Sequence, residues 1–257
     1  MKVIILCGGK GLRMGSALDG IPKPMYEVNG RPLLWHIMNL YSHYGYNEFI
    51  LPLGYQGQKI KEYFLNYPWR HTDMSMHLRQ NHYELLGVNE DWHITFVETG
   101  MEALTGARVK RVEHLIQEDH FMLTYGDGLA NINVKRLVEF HQSMGKIVTV
   151  TGVKRDSPYG AFTVEYGLAT QFVEKPSLNG WVNGGYFVCN KAIFRYLQPD
   201  PGCALEETPL QQIAQDGQLA IYEHSGFWLG IDTQKELKLA NEQWPAISHP
   251  AEGVNEE

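Results

Sequence analysis

The sequence predicts an α/β fold: an open sheet, mixed but mostly parallel, with helices on its faces and a small β-rich portion towards the C-terminus. Three observations predict it. Val3 to Leu6 is an unbroken apolar, β-branched run that stops in Gly8-Gly9-Lys10-Gly11, as a fully buried parallel strand does where it meets a glycine turn. Apolar residues at helical spacing then alternate with short strand-like runs as far as Val153. From Tyr159 onward, short alternating strands take over.

After the first strand, Pro32 to Tyr44 carries Leu33, Leu34, Ile37, Leu40 and Tyr41 at helical spacing. Phe49 to Leu53 reads as a strand, and Gly57 to Tyr67 returns to helical period. Further strands are expected at His93 to Val97, His120 to Thr124 and Ile147 to Val153, with helical stretches around Arg108 to Gln117 and Val134 to Met144. The β-rich portion holds strands at Ala161 to Glu165, Ala169 to Phe172 and Tyr186 to Cys189, a helix near Leu205 to Asp216 and a last helix near Thr233 to Trp244. Pro68 to Asp91 and Pro176 to Val182 read as long or turn-rich loops, candidates for subunit contacts or a lid. The tail Ala246 to Glu257 is polar, proline-interrupted and expected to fray.

Bulk properties narrow the function. A formal charge of -7 argues against a nucleic-acid backbone as partner, so a small anionic ligand has to be met by locally placed cations. No apolar run approaches the roughly 20 residues of a membrane-spanning helix, and MKVIILCGG is too short for a secretory signal. The three cysteines, Cys7, Cys189 and Cys203, lie far apart without CxxC spacing, which suggests neither disulfides nor zinc and fits a cytoplasmic protein.

The chemistry concentrates at strand ends. Gly8 to Arg13, followed by Pro22-Lys23-Pro24, puts a glycine backbone and two cations just after the first strand, where amide N–H groups and charge can meet a polyphosphate. The segment matches neither GxGxxG before a helix nor GxxxxGK[ST], and a plain tight turn is the competing reading. Asp127, between Gly126 and Gly128 after an apolar strand, sits where α/β sheets bind ligands; the alternative is an Asp-Gly turn. Asp232 could equally cap the last helix. No HExxH or HxxxH spacing and no Ser-His-Asp order points to zinc or a covalent nucleophile.

LCGGKGLRM with IPKPM resembles the glycine-rich signature of the sugar 1-phosphate nucleotidyltransferase family. RPLLWHIMNLYSHYG, GYQGQKIKEYF, VETGMEALTGARVKRV, FMLTYGDGLANI, FVEKP, VNGGYFV and EHSGFWLGIDT are similar, in order, to segments of its glucose-1-phosphate cytidylyltransferase branch. The resemblance implies a Rossmann-like sheet in one domain spanning 1–257. Residues 1–155 would mainly bind nucleotide, 156–245, including a sugar-binding and oligomerisation portion, would mainly bind the sugar phosphate, and 246–257 would be a tail. It implies CTP and a sugar 1-phosphate, glucose 1-phosphate foremost, as substrates, Mg2+ as cofactor, and a homo-oligomer.

Residue by residue, the resemblance assigns nucleotide contacts to Leu6, Gly8, Gly9, Gly11, Leu12, Arg13 and Lys23, and further contacts to Thr99, Gly100 and Thr105. Arg108 is expected at a phosphate because Thr105-Gly106 precedes it at a helix start, a solvated face shared with Lys110 and Arg111 being the alternative. The sugar phosphate falls to Tyr125, Gly126, Tyr159, Gly160, Glu174 and Lys175 with the Asn183-Gly184-Gly185 turn. Asp127 and Asp232 are the implied metal ligands, and Arg13, Lys23, Asp127 and Lys175 the catalytic set. The expected reaction is in-line attack by the sugar phosphate on the α-phosphorus of CTP, giving CDP-glucose and pyrophosphate. Leu12 stands where the family has Thr, removing a hydroxyl from the triphosphate site, and Cys7 replaces an Ala. Another acceptor or triphosphate, and a catalytically silent nucleotide-binding subunit, therefore stay open as alternatives.

Overall fold

Val3–Leu6 forms β1, four residues buried on both faces, and the rest of the sheet grows outward from it. The structure is a computed structural model that describes residues 1–9, 20–87, 90–155, 161–173 and 180–244. After β1 come β2 (Glu27–Val28), β3 (Arg31–Pro32), α1 (Leu33–His43), β4 (Glu48–Leu53), α2 (Gly57–Leu65) and α3 (Tyr67–His71). A hairpin of β5 (Met74–His77) and β6 (His82–Leu85) precedes β7 (His93–Glu98), α4 (Thr105–Arg111), β8 (His120–Tyr125), β9 (Gly128–Ala130) and α5 (Val134–Met144). The chain continues with β10 (Val148–Arg155), β11 (Ala161–Glu165), β12 (Leu168–Val173), β13 (Gly180–Asn190), α6 (Thr208–Gln215), β14 (Leu219–His224), β15 (Trp228–Gly230) and α7 (Gln234–Gln243).

Nine strands form one mixed sheet in the order β10-β14-β12-β11-β13-β8-β1-β4-β7. β1 lies between β4 and β8, parallel to both, with Val3 opposite Phe49 and Met122, and β7 extends the parallel run beyond β4. The carboxyl ends of these four strands therefore share one edge, where an open α/β sheet places its ligand. β13 joins β8 antiparallel, with Tyr186 opposite Thr124, and links β10 and β11 to it. The β-rich portion expected after Tyr159 is thus continuous with the main sheet.

Two cores cover the two faces, and strand alternation sorts residues between them. Val3 and Ile5 pack with Leu33, Ile37 and Met38 of α1 and Leu137 of α5. Ile4 and Leu6 pack with Val109 of α4 and with Leu210 and Ile213 of α6. Each such buried aliphatic side chain contributes roughly 1.5–3 kcal/mol of transfer free energy. Among the described residues no helix is long and apolar enough to cross a membrane.

Several elements differ from the sequence reading. Pro68 to Asp91, expected as a loop, contains most of α3 and the β5–β6 hairpin, whose side chains are largely exposed and so lack the apolar alternation that marks a strand. The helix expected from Arg108 starts earlier, at Thr105, and gives way to a 3-10 turn at Glu113–Leu115. Pro209 in the first turn of α6 moves that helix start to Thr208. β14 and the β9–β15 ribbon are additional strands. Of the second expected loop, Gly180 to Val182 already belongs to β13, while Pro176 to Asn179 and the tail Ala246 to Glu257 lie outside the described residues.

Candidate active site

A cleft of about 560 Å³ opens at the carboxyl edge of the parallel strands, within the roughly 300–1,000 Å³ of small-ligand sites. Two acidic residues meet there because of a three-residue ribbon. β9 pairs antiparallel with β15, Gly128 opposite Gly230 and Leu129 opposite Leu229, and Ile231 N–H donates to the Asp127 carbonyl at 2.8 Å. Asp127, just before β9, and Asp232, just after β15, are thereby held side by side, although 105 positions apart in sequence. Tyr186 anchors the ribbon to the sheet, its hydroxyl donating to the Gly128 carbonyl at 2.9 Å.

Lys23 completes the group. It begins a 3-10 turn, Lys23–Met25, stiffened by Pro22 and Pro24 and closed by Met25 N–H donating to the Pro22 carbonyl at 2.8 Å. Its ammonium donates to Asp127 Oδ2 at 3.3 Å and to Asp232 Oδ1. Lys23 and Asp232 side chains are only 14% and 16% exposed, against 39% for Asp127, so the last is the one offered to the cleft. Burial works against the Lys23 ammonium, but the two carboxylates outweigh it and hold the group above its ordinary range, so it is a cation at neutral pH. Desolvation by the surrounding cleft walls, joined by the neighbouring charge of Asp232, pushes Asp127 above the usual carboxylate range despite the opposing pull of Lys23.

Asp232 is not the cap of the last helix. Thr233 caps α7 in a capping box, its hydroxyl accepting from Glu236 N–H at 3.3 Å while the Glu236 carboxylate accepts from Thr233 N–H at 2.9 Å. Glu236 also accepts from Asp232 N–H at 2.8 Å, which fixes the backbone carrying the acid.

The glycine loop is braced by a buried guanidinium. Arg108, 4% exposed, donates from Nη1 to the Leu53 carbonyl at 2.9 Å, the Thr99 hydroxyl at 2.7 Å and the Gly100 carbonyl at 2.9 Å, and from Nη2 to the Gly8 carbonyl at 2.9 Å. One guanidinium thus ties together the ends of β1, β4 and β7. A Cβ on Gly8 would lie 2.2 Å from Arg108 Cζ, so only glycine fits there. Both terminal nitrogens are engaged with the protein, and Arg108 also lines the cleft.

Leu6, Gly8, Gly9, Lys23, Thr105, Arg108, Tyr125, Gly126, Asp127, Asn183, Gly184, Gly185 and Asp232 all line this cleft. Thr99 and Gly100 are set behind it, joined through Arg108, and the Thr99 hydroxyl donates to the Leu53 carbonyl at 2.7 Å. Gly11, Leu12, Arg13, Tyr159, Gly160, Glu174 and Lys175 lie outside the described residues. Gly185 has φ of +82°, and a Cβ there would sit 2.6 Å from the Tyr125 ring. Burial pushes the Cys7 thiol well above its usual range, which leaves it protonated and unsuited to covalent catalysis.

Sequence reasoning missed Glu206 on the cleft wall. Its Oε1 accepts from the Tyr125 hydroxyl at 2.6 Å and its Oε2 from the Thr105 hydroxyl at 2.6 Å. In sequence it is one of two adjacent acids before Thr208-Pro209, a pattern indistinguishable from acids at a helix start.

A cleft combining glycine backbone, a buried cation and two converging acids suits a nucleotide and a divalent cation. The family model described as Nucleotidyl transferase matches residues 2–245. The chain belongs to that family. This nucleotidyltransferase is 49% identical over 244 residues to a Bacillus subtilis (strain 168) protein described as a probable glucose-1-phosphate cytidylyltransferase, covering 95% of this chain and 96% of the relative. It is 39% identical over 247 residues to the glucose-1-phosphate cytidylyltransferase of Salmonella typhi, covering 95% and 96%. Among solved structures, a UDP-glucose pyrophosphorylase complexed with UDP-glucose shares the fold, with a TM-score of 0.74 at 17% identity over 95% of this chain and 98% of that one.

Proposed function

We propose that this enzyme transfers the CMP unit of CTP to glucose 1-phosphate, forming CDP-glucose and pyrophosphate. The names of the two relatives support the substrate pair. The observation that carries the reading is the meeting of Asp127, Asp232 and Lys23 beside the Gly8-Gly9 backbone. A phosphate oxygen of glucose 1-phosphate forms the new bond to the α-phosphorus while the α–β bridging bond breaks and pyrophosphate carries the electron pair away. The attacking oxygen is already ionised, so alignment and charge stabilisation suffice without a general base.

Mg2+ is the proposed cofactor. Asp127 and Asp232 fit it: two carboxylates converge on one cationic nitrogen, and Mg2+ takes one or two carboxylates together with phosphate oxygens and water. Bound there, it would neutralise charge and act as a template for the two phosphates. Lys23, with Arg13, offsets charge on the departing pyrophosphate, the Gly8 and Gly9 amides approach the triphosphate, and Lys175 orients the acceptor. Self-association is proposed through the β5–β6 hairpin and its approach, which expose Leu65, Met76, Leu78, Tyr83 and Leu86. A cytoplasmic location fits three free cysteines.

The test is pyrophosphate release with each of the four common ribonucleoside triphosphates plus glucose 1-phosphate and Mg2+, repeated with Asp127→Ala. CTP should be used fastest and the variant should be silent. Turnover with no triphosphate, or an undiminished variant, rejects the reading.

A further inference from the structure

On the wall of the same cleft, four polar side chains are locked into one directed hydrogen-bond chain. Gly185 N–H donates to Asn183 Oδ1 at 2.8 Å, and Asn183 Nδ2 donates to the Tyr125 hydroxyl at 3.0 Å. Tyr125 passes its own proton to Glu206 Oε1, and Thr105, which accepts from Leu205 N–H at 2.9 Å, gives its proton to Glu206 Oε2. A hydroxyl has one proton. Both hydroxyls have therefore spent theirs on Glu206, and what Tyr125, Thr105 and Glu206 still offer is lone pairs. Among the described residues Glu206 has no cationic partner, and its hydrogen-bond donors there are these two hydroxyls. The wall accepts hydrogen bonds, carries negative charge, and adjoins the Asn183-Gly184-Gly185 turn.

We infer that Glu206 is a specificity-determining residue on the acceptor side, making the wall select an uncharged, hydroxyl-rich sugar phosphate and reject one bearing a second anionic group, such as a uronic acid 1-phosphate. This rests on the proposed transfer to a sugar 1-phosphate and deepens it. Sugar hydroxyls can donate to the free lone pairs, whereas a sugar carboxylate set against this wall would meet oxygen acceptors and a like charge in a partly desolvated cleft, where such a mismatch discriminates strongly.

The experiment compares glucose 1-phosphate with glucuronic acid 1-phosphate, for wild type and Glu206→Gln, by kcat/KM at saturating CTP and Mg2+ and by calorimetric binding with the nucleotide present. Wild type should favour glucose 1-phosphate by about a hundredfold or more, chiefly through KM. Glu206→Gln should narrow that ratio at least about tenfold by losing on the neutral sugar and gaining on the acidic one, with KM for CTP within about twofold of wild type. An unchanged ratio in the variant, or a KM for CTP rising as much as that for the sugar phosphate, overturns the inference. So does equal binding of the two sugar phosphates by wild type, a result that needs no variant to fold. Absence of turnover together with selective binding would instead count against the proposed reaction and leave the wall's selectivity standing.

Discussion

Arg108 Nη2 donates to the Gly8 carbonyl at 2.9 Å, which places a buried guanidinium directly under the loop that leaves the central strand. The same group reaches Leu53, Thr99 and Gly100, so the ends of three parallel strands are positioned by one side chain. Arg108→Ala should leave four acceptors without that donor and destabilise the fold by roughly 3 kcal/mol, read as a lower chemical-denaturation midpoint with unchanged slope. Gly8→Ala should be damaging for the opposite reason, since its added methyl overlaps the guanidinium, and should raise KM for the nucleotide even where the protein folds. A Gly8→Ala enzyme with wild-type nucleotide affinity would show that the loop is not set by Arg108.

Lys23 stands between Asp127 and Asp232, and removing each member has a distinct consequence. Asp127→Asn and Asp232→Asn should each lower kcat by at least about a hundredfold. Chelation should abolish pyrophosphate release by wild type, and Mg2+ should restore it. Lys23→Met should leave two neighbouring carboxylates without their cation, so Mg2+ should raise its thermal midpoint more than it raises that of wild type. Equal midpoint shifts would show that the acids do not share a cation.

His141 is 2% exposed on the inner face of α5, with Nδ1 at 2.8 Å from the Thr149 hydroxyl and its ring 5.2 Å from that of His120. Burial, reinforced by the nearby charge of His120, lowers it to about 4. The folded state therefore resists the proton that the unfolded chain accepts near 6.5. Stability from this group is fully present above pH 6.5 and falls as the pH drops to about 4, by roughly 3 kcal/mol in total. His141→Asn should be destabilised at pH 7 and lose that difference by pH 4.5 in parallel urea titrations. Curves that stay parallel across this range would assign the acid sensitivity elsewhere.

The hairpin of β5 and β6 exposes Leu78 at 82%, Tyr83 at 58% and Met76 at 55%, a cluster that a monomer in water does not profit from. Sedimentation velocity should find wild type assembled and Leu78→Glu together with Tyr83→Glu shifted towards monomer. A wild-type monomer at micromolar concentration would remove self-association from the proposal.

The parallel half of the sheet was legible because buried strands leave continuous apolar runs, and α5 matched its expected bounds from helical spacing, with Asn133 accepting from Arg136 N–H at 3.0 Å as its cap. The hairpin was not legible, because strands that bury neither face carry no alternation. The candidate site was legible as residue types at strand ends. Glu206 was not, since nothing in its neighbourhood distinguishes a cleft acid from an acid at a helix start.

Local spacing and chain stiffness settle which segments become buried strands and helices, that glycines and cations follow the first strand, and that the acids lie at element ends, so these features can be read from the residues in order. The meeting of Asp127 and Asp232 over Lys23, the bracing of the glycine loop by Arg108, and the donation of protons from Thr105 and Tyr125 to Glu206 come instead from the folded chain. Those relations join residues up to 209 positions apart. They arise from the pairing of β9 with β15 and from the packing of α4 and the segment before α6 against one sheet edge, which no local periodicity encodes.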